Sequence, residues 1–139
     1  MLNNLLKKSK NLQFPKASMN TKAMGDWAEK LACDWLQSRK LILIEHNFHS
    51  RYGEIDLIMK DRDCLVFVEV KYRKNTIYGS AEDSITKKKF DRMVATAEKY
   101  LLTKGYSINT EVRFDAMAIS PSKESDLHCT INWIKNILL

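Results

Sequence analysis

Apolar residues recur with helical spacing early in the chain. From Met24, the positions Trp27, Ala28, Leu31 and Trp35 follow at offsets of 3, 4, 7 and 11, which predicts an amphipathic helix running to about Arg39. Asn20 or Thr21 stands where a cap is expected. Glu29 falls outside the apolar stripe, on the flank shared with Gly25, Ala32 and Leu36. From there its carboxylate either reaches a neighbouring cleft or stays in solvent. The period then changes: Leu41 to Ile44 begins a strand, Ser50 to Gly53 reads as a turn, and Glu54 to Lys60 alternates polar residues with Ile55, Leu57 and Met59. Asp61-Arg62-Asp63 makes a tight connection to Cys64 to Tyr72, which sets Val66, Val68, Val70 and Tyr72 on one face and Leu65, Phe67, Glu69 and Lys71 on the other. Two strands joined so closely must be antiparallel.

Beyond Tyr78-Gly79, Asp83-Ser84 offers caps for a second helix with Phe90, Val94, Ala97 and Leu101 as its buried stripe and Gly105 as its end. Glu111 to Ile119 and Leu127 to Trp133 are two further strands, separated by the Ser120-Pro121-Ser122 turn. The order is helix, three strands, helix, two strands, an α/β pattern without internal repeat. Trp133 and the Ile137-Leu138-Leu139 end either form an interface or close the edge of the core.

Length changes little in this picture: 139 residues suit one domain with a single core, assigned to residues 21–139. Residues 1–20 read as a basic arm, because Lys7, Lys8, Lys10 and Lys16, with Lys22 just beyond, precede the first acidic residue, Asp26. The arm either touches phosphates or is a solvated terminus. Charge matters more. Lys and Arg number 23 against 17 Asp and Glu, a formal net charge of +6, which points to polyanionic partners or merely aids solubility. Cys33, Cys64 and Cys129 are far apart and form no C-x-x-C pair, which suggests a reducing compartment rather than zinc or disulfides. His46 and His49 have no further ligand at zinc spacing and fit a surface or strand-end role. No apolar run approaches the ~20 residues of a membrane span, and Leu5-Leu6 falls short of the ~7 to 15 apolar residues of a signal peptide. The expectation is a cytoplasmic protein with no membrane partner.

The candidate chemistry lies in the two middle strands. An apolar strand tolerates a buried charge only if it is paired or binds a metal, so Glu69 and Lys71 within Val66-Phe67-Val68-Glu69-Val70-Lys71-Tyr72 need a reason. Their spacing puts both on one face, and one hairpin register places Asp56 opposite Glu69. Two facing carboxylates repel unless a divalent cation lies between them, and an all-oxygen site suits magnesium, with manganese as a substitute. Asp56 and Glu69 would hold the metal, the Val70 carbonyl could add a ligand, and Lys71 would orient or deprotonate a water while countering phosphate charge. The alternative is a hairpin with an exposed salt bridge. Arg73 and Lys74 just past this trio, and Lys87, Lys88 and Lys89 at the start of the second helix, are candidate phosphate contacts.

The segment Gly53-Glu54-Ile55-Asp56-Leu57-Ile58, with Phe67-Val68-Glu69-Val70-Lys71 placing Glu69 thirteen residues after Asp56, resembles the YraN family of small proteins. That family has a restriction-endonuclease-like, PD-(D/E)XK fold similar to archaeal Holliday-junction resolvases. Gly25, Ala28-Glu29, Asn47, Tyr78-Gly79 and Arg113-Phe114-Asp115 add to the match, which spans roughly residues 20 to 120. The resemblance implies a mixed central sheet of about five strands flanked by helices, with Asp56, Glu69 and Lys71 as a nuclease triad. It also implies Glu29 as an accessory carboxylate, a role for which Glu54 competes. Where many relatives carry a glutamine near the start of the second helix, this chain has Phe90 after its three lysines, and the basic arm and the Ile134 to Leu139 tail depart from the family pattern.

The function expected from these residues and this likeness is magnesium-dependent endonucleolytic hydrolysis of DNA, with branched recombination or repair structures suggested by analogy alone. RNA stays open as a substrate, as does pairing of two copies into a homodimer. A nucleic-acid-binding module that keeps the fold without cutting is the alternative. A protein whose basic face meets an acidic partner is a third reading.

Overall fold

The computed structural model describes residues 19–73, 85–121 and 129–137. Lys7, Lys8, Lys10 and Lys16 of the arm, Lys74, Tyr78-Gly79, Asp83-Ser84, Ser122, Leu127 and Leu138-Leu139 lie outside them.

Helix α1 (Thr21–Ser38) starts at Asn20, whose side-chain oxygen accepts the Ala23 amide at 2.8 Å. It buries Trp27, Ala28, Leu31, Ala32 and Leu36, while Met24 and Trp35 are half-buried. The inward face is thus turned from the predicted stripe toward the flank that carries Glu29. Small Ala32 lets the helix lie close to the sheet, and the Trp35 ring packs edge-on against Trp133 at 5.7 Å.

Five strands follow: β1 (Ile42–Ser50), β2 (Gly53–Asp61), β3 (Cys64–Tyr72), β4 (Val112–Pro121) and β5 (Cys129–Ile134), with helix α2 (Lys87–Thr103) between β3 and β4. They form one sheet in chain order. Pairings β1/β2, β2/β3 and β4/β5 are antiparallel, and β3/β4 is parallel because α2 carries the chain back across the sheet.

Alternation along β3 sorts the core into two. Val66, Val68 and Val70 pack with Leu57, Met59, Met117, Ile119 and α1, whereas Leu65 and Phe67 pack with Ile55, Ile58 and the Ala97 and Tyr100 side chains of α2. Strands covered on both faces lose the polar half of their pattern. For that reason Ile55 through Met59 are all buried rather than alternating. Ile55 and Ile58 share a face although three residues apart, so the regular alternation slips between them, around Asp56.

Helix α2 is capped by Thr86, whose hydroxyl accepts the Lys89 amide at 3.1 Å, and not by Asp83 or Ser84. Its buried residues are Phe90, Met93, Thr96, Ala97 and Tyr100; Val94 and Leu101 of the predicted stripe are only half-buried. Ring size sets this rotation: Tyr100 meets Phe48 at 5.1 Å and Phe67 at 5.8 Å, both edge-on. Gly105, at φ +73°, ends the helix as expected, with the Tyr106 amide donating to the Leu101 carbonyl at 2.9 Å. Trp133 belongs to the core edge: its indole N–H donates to buried Asp115 at 3.0 Å. The Ile137 amide donates to the Phe114 carbonyl at 2.7 Å.

Candidate active site

The β2/β3 ladder runs from Asp61 opposite Cys64 to Leu57 opposite Val68 and then stops, although both strands continue. Continued one step in the same register, the strands set Asp56 opposite Glu69, an arrangement the sequence allowed without fixing it. Where the backbones part, the Asp56 side chain takes the place of a ladder bond: its Oδ2 accepts the Val70 amide at 2.8 Å. Both carboxylates are buried, Asp56 at 7% and Glu69 at 4% exposure.

Two ammonium groups meet Glu69. Lys71 Nζ lies 3.1 Å from its Oε1, and Lys89 Nζ reaches the same oxygen at 2.6 Å from the first turn of α2. Lys71, Glu69 and Phe67 share the α2-facing side of β3, which is why a lysine on α2 can arrive there. Glu29 comes from α1 and brings a third carboxyl group close enough to Asp56 for the two to interact. The divergence of two strands therefore collects side chains from β2, β3, α1 and α2.

Electrostatics follow from this crowding. Burial, then the Glu69 charge, pushes Asp56 up to about 8, despite the Val70 amide that favours its ionised form. Glu29 is also raised, mainly by burial, with its interaction with Asp56 opposing. Lys71 is lowered, first by burial and then by the neighbouring Lys89 ammonium, against the pull of Glu69. Burial would lower Lys89 too, but its contact with Glu69 and the charges of Glu69 and Asp56 outweigh it, and its net shift is upward.

Of the two candidate accessory carboxylates, Glu29 is the one that acts more strongly on Asp56. Glu54 pairs instead with His49, 3.3 Å away, and both are largely exposed, although Glu54 does line the cleft containing Glu69, Thr86, Lys89 and Met93. Among the described residues, no three histidine, cysteine, aspartate or glutamate side chains gather as a metal cluster. The facing carboxylates Asp56 and Glu69 nevertheless fit a divalent cation, because such an ion relieves the repulsion that raises Asp56. Val70 touches this pair through its amide.

The three lysines at the start of α2 do not act as one patch. Lys87 pairs with Asp91 at 3.1 Å, Lys88 is exposed, and Lys89 turns into the site. Arg73 is exposed just past β3, its amide bonded to the Ile119 carbonyl at 3.1 Å. The sequence reading placed Lys89 on a phosphate-binding rim; its signal as a site residue was position alone, the third residue of a helix whose buried face begins at Phe90.

Fold and site define an α/β protein with a mixed five-stranded sheet and two helices, in the order α-β-β-β-α-β-β, consistent with a restriction-endonuclease-like core. Residues 28–119 match the model of Uncharacterised protein family UPF0102. The chain belongs to that family, the one to which the YraN likeness pointed. It is 46% identical over 112 residues to a UPF0102 protein of Nitrosococcus oceani, covering 81% of this chain and 88% of that one. To a UPF0102 protein of Aliivibrio salmonicida it is 42% identical over 121 residues, covering 86% and 94%. A UPF0102 protein of Dichelobacter nodosus matches 129 residues at 40% identity, covering 91% and 99%. The family match includes Glu29, Asp56, Glu69, Lys71 and Lys89. Among the described residues no helix is long and apolar enough to cross a membrane.

Proposed function

We propose that this protein is a divalent-metal-dependent nuclease that hydrolyses phosphodiester bonds in DNA. One observation carries the reading: buried Asp56 and Glu69 face each other where β2 and β3 part, with the Lys71 ammonium 3.1 Å from Glu69. Asp56 and Glu69 are the residues that would hold magnesium or manganese, with Val70 as the adjoining backbone unit. When bound, such an ion supplies charge neutralisation at the phosphate and a more acidic water.

The side chains do the rest. Lys71, with its proton affinity lowered by burial and by Lys89, orients the attacking water and offsets charge on the phosphate. Lys89 adds a second positive charge on the same carboxylate. Glu29, beside Asp56, would be a further acidic group at the site and would be placed to take up the proton Asp56 must lose before acting as a ligand. Exposed Arg73 and Lys88, Lys74 and the net charge of +6 favour a polyanionic substrate.

A second reading, a nucleic-acid-binding module without cleavage, draws on the two lysines that already neutralise Glu69. Cleavage decides between them. Labelled duplex, single-stranded, flap and four-way-junction DNA, with single-stranded RNA alongside, are incubated with Mg or Mn at one salt concentration. The expected result is metal-dependent cutting that disappears in Asp56→Ala and Lys71→Ala and falls on the order of 100-fold in Lys89→Met. Binding without cutting by the wild type, unchanged in these variants, transfers the assignment to the second reading.

A further inference from the structure

The turn between β1 and β2 is fastened to α2. The Ser50 hydroxyl donates to Thr96 Oγ1 at 3.2 Å. Gly53 sits at φ +150°, and a Cβ there would lie 3.6 Å from Thr96 Oγ1 and 3.8 Å from Arg92 Cβ. Glycine therefore serves the backbone conformation, while the turn packs on the helix at ordinary van der Waals distance. The result is a fixed tip, Arg51-Tyr52, held across from the exposed side of the first half of α2.

That tip and the helix bound a cleft lined by Arg51, Tyr52, Lys87, Lys88, Asp91 and Arg92. Lys87 is spoken for by Asp91. Arg51, Lys88 and Arg92 are exposed and have no carboxylate partner among the described residues. Arg51 lies over the Tyr52 ring, 4.8 Å from its centroid, and donates to its hydroxyl at 2.6 Å, while 40% of Tyr52 remains exposed. The adjacent cleft shares Lys88 and Arg92 and contains Glu69 and Lys89. A row of uncompensated cations thus leads from an aromatic tip to the buried carboxylate pair.

We propose that this cleft binds the sugar-phosphate backbone of a nucleic-acid strand, with Arg51, Lys88 and Arg92 on successive phosphates and a base against Tyr52. That the strand leads into a cutting site rests on the nuclease reading; that it binds here does not. Cations drawn from two elements and left unpaired repel one another until an extended polyanion compensates them. The arginine-tyrosine pair adds a surface for a planar base, which an acidic polypeptide cannot use.

The test is anisotropy of labelled single-stranded and duplex oligonucleotides with the full chain in EDTA, so that nothing is cut. The Arg51→Gln/Arg92→Gln pair is compared with Lys40→Gln/Lys99→Gln, which removes the same charge from exposed residues elsewhere. Thermal melting checks that all are folded. The expected result is a loss of about tenfold in affinity for the first pair only. The slope of log affinity against log salt falls by about 1.4 on single strands, near 0.7 per phosphate contact. Tyr52→Ala weakens single-strand binding more than duplex binding. Equal losses in both double variants, polyglutamate competing as well as DNA, or no binding by the wild type overturns the proposal. Cleavage is scored separately: binding that depends on Arg51 and Arg92 without metal-dependent cutting sinks the nuclease reading and keeps the cleft. Cutting indifferent to both arginines does the reverse.

Discussion

Asp56 sits where an ordinary carboxylate would be ionised at neutral pH, yet burial and the facing Glu69 raise it to about 8. Between its unfolded value near 3.8 and about 8, the folded chain therefore binds more protons than the unfolded one. The associated stability is fully present below the lower value and is lost as pH rises through the upper one. Asp56→Asn keeps the acceptor for the Val70 amide and removes the charge. Without metal it is expected to melt on the order of 5 °C or more above wild type at pH 8.5, the gap closing toward pH 4. Magnesium or manganese is expected to raise the wild-type Tm at pH 8 by mass action and to leave Asp56→Asn unmoved. Melting curves across pH, with and without metal, check both. A wild type whose stability does not fall between pH 5 and pH 8 removes this account of the site.

At the scale of elements, β3 positions the chemistry. It is buried from Cys64 to Val70, and Phe67, two residues before Glu69 on the same face, stacks on Phe114 at 5.5 Å and meets Tyr100 edge-on. Phe67→Ala leaves a cavity under α2 and is expected to cost about 3–5 kcal/mol. Urea unfolding checks this: the midpoint falls while the slope is retained. The same void would loosen the seat of Lys89, so on the proposed nuclease reading cutting by folded Phe67→Ala should fall as well. Strand and helix identities were legible because periodicity reports which face is covered, down to the hairpin and the Gly105 stop. The faces of α1 and α2 were not, because Trp35 and Leu101 are apolar whether or not they reach the sheet. Packing against Phe48, Phe67 and Trp133 decided which ring went inside.

For the molecule as a whole, Asp115 is the fastening point of the last strand. It is fully buried and accepts Arg113 Nε on both oxygens, at 3.1 and 3.2 Å, with the Trp133 indole and the Asn136 amide each at 3.0 Å. Arg113 also pairs with Asp61 at 2.9 Å, tying β4 to the end of β2. Removing one partner of a buried ion pair strands the other, so Asp115→Ala is expected to cost about 3–5 kcal/mol and Asp115→Asn less. Denaturant unfolding followed by tryptophan fluorescence reads this, and a cost no larger than that of an exposed substitution sinks the assignment. Arg113-Phe114-Asp115 belongs to the family likeness in the sequence; in the structure it is a clasp on β4 beside β3, with Asp115 paired in register with Val68, one residue from Glu69.

By itself the sequence determined the element order and the antiparallel pairing of the two closely joined strands, and it singled out Asp56, Glu69 and Lys71 as buried charges in need of partners. Each is carried by residues close along the chain, where alternation and turn length fix geometry. Only tertiary structure decided that Glu29 lies near Asp56, that Lys89 leaves its two neighbours to join Glu69, and that Arg51, Tyr52 and Arg92 share a cleft. Those contacts link separate elements, and their geometry depends on how each helix rolls on the sheet, a quantity set by the packing of side chains remote in sequence.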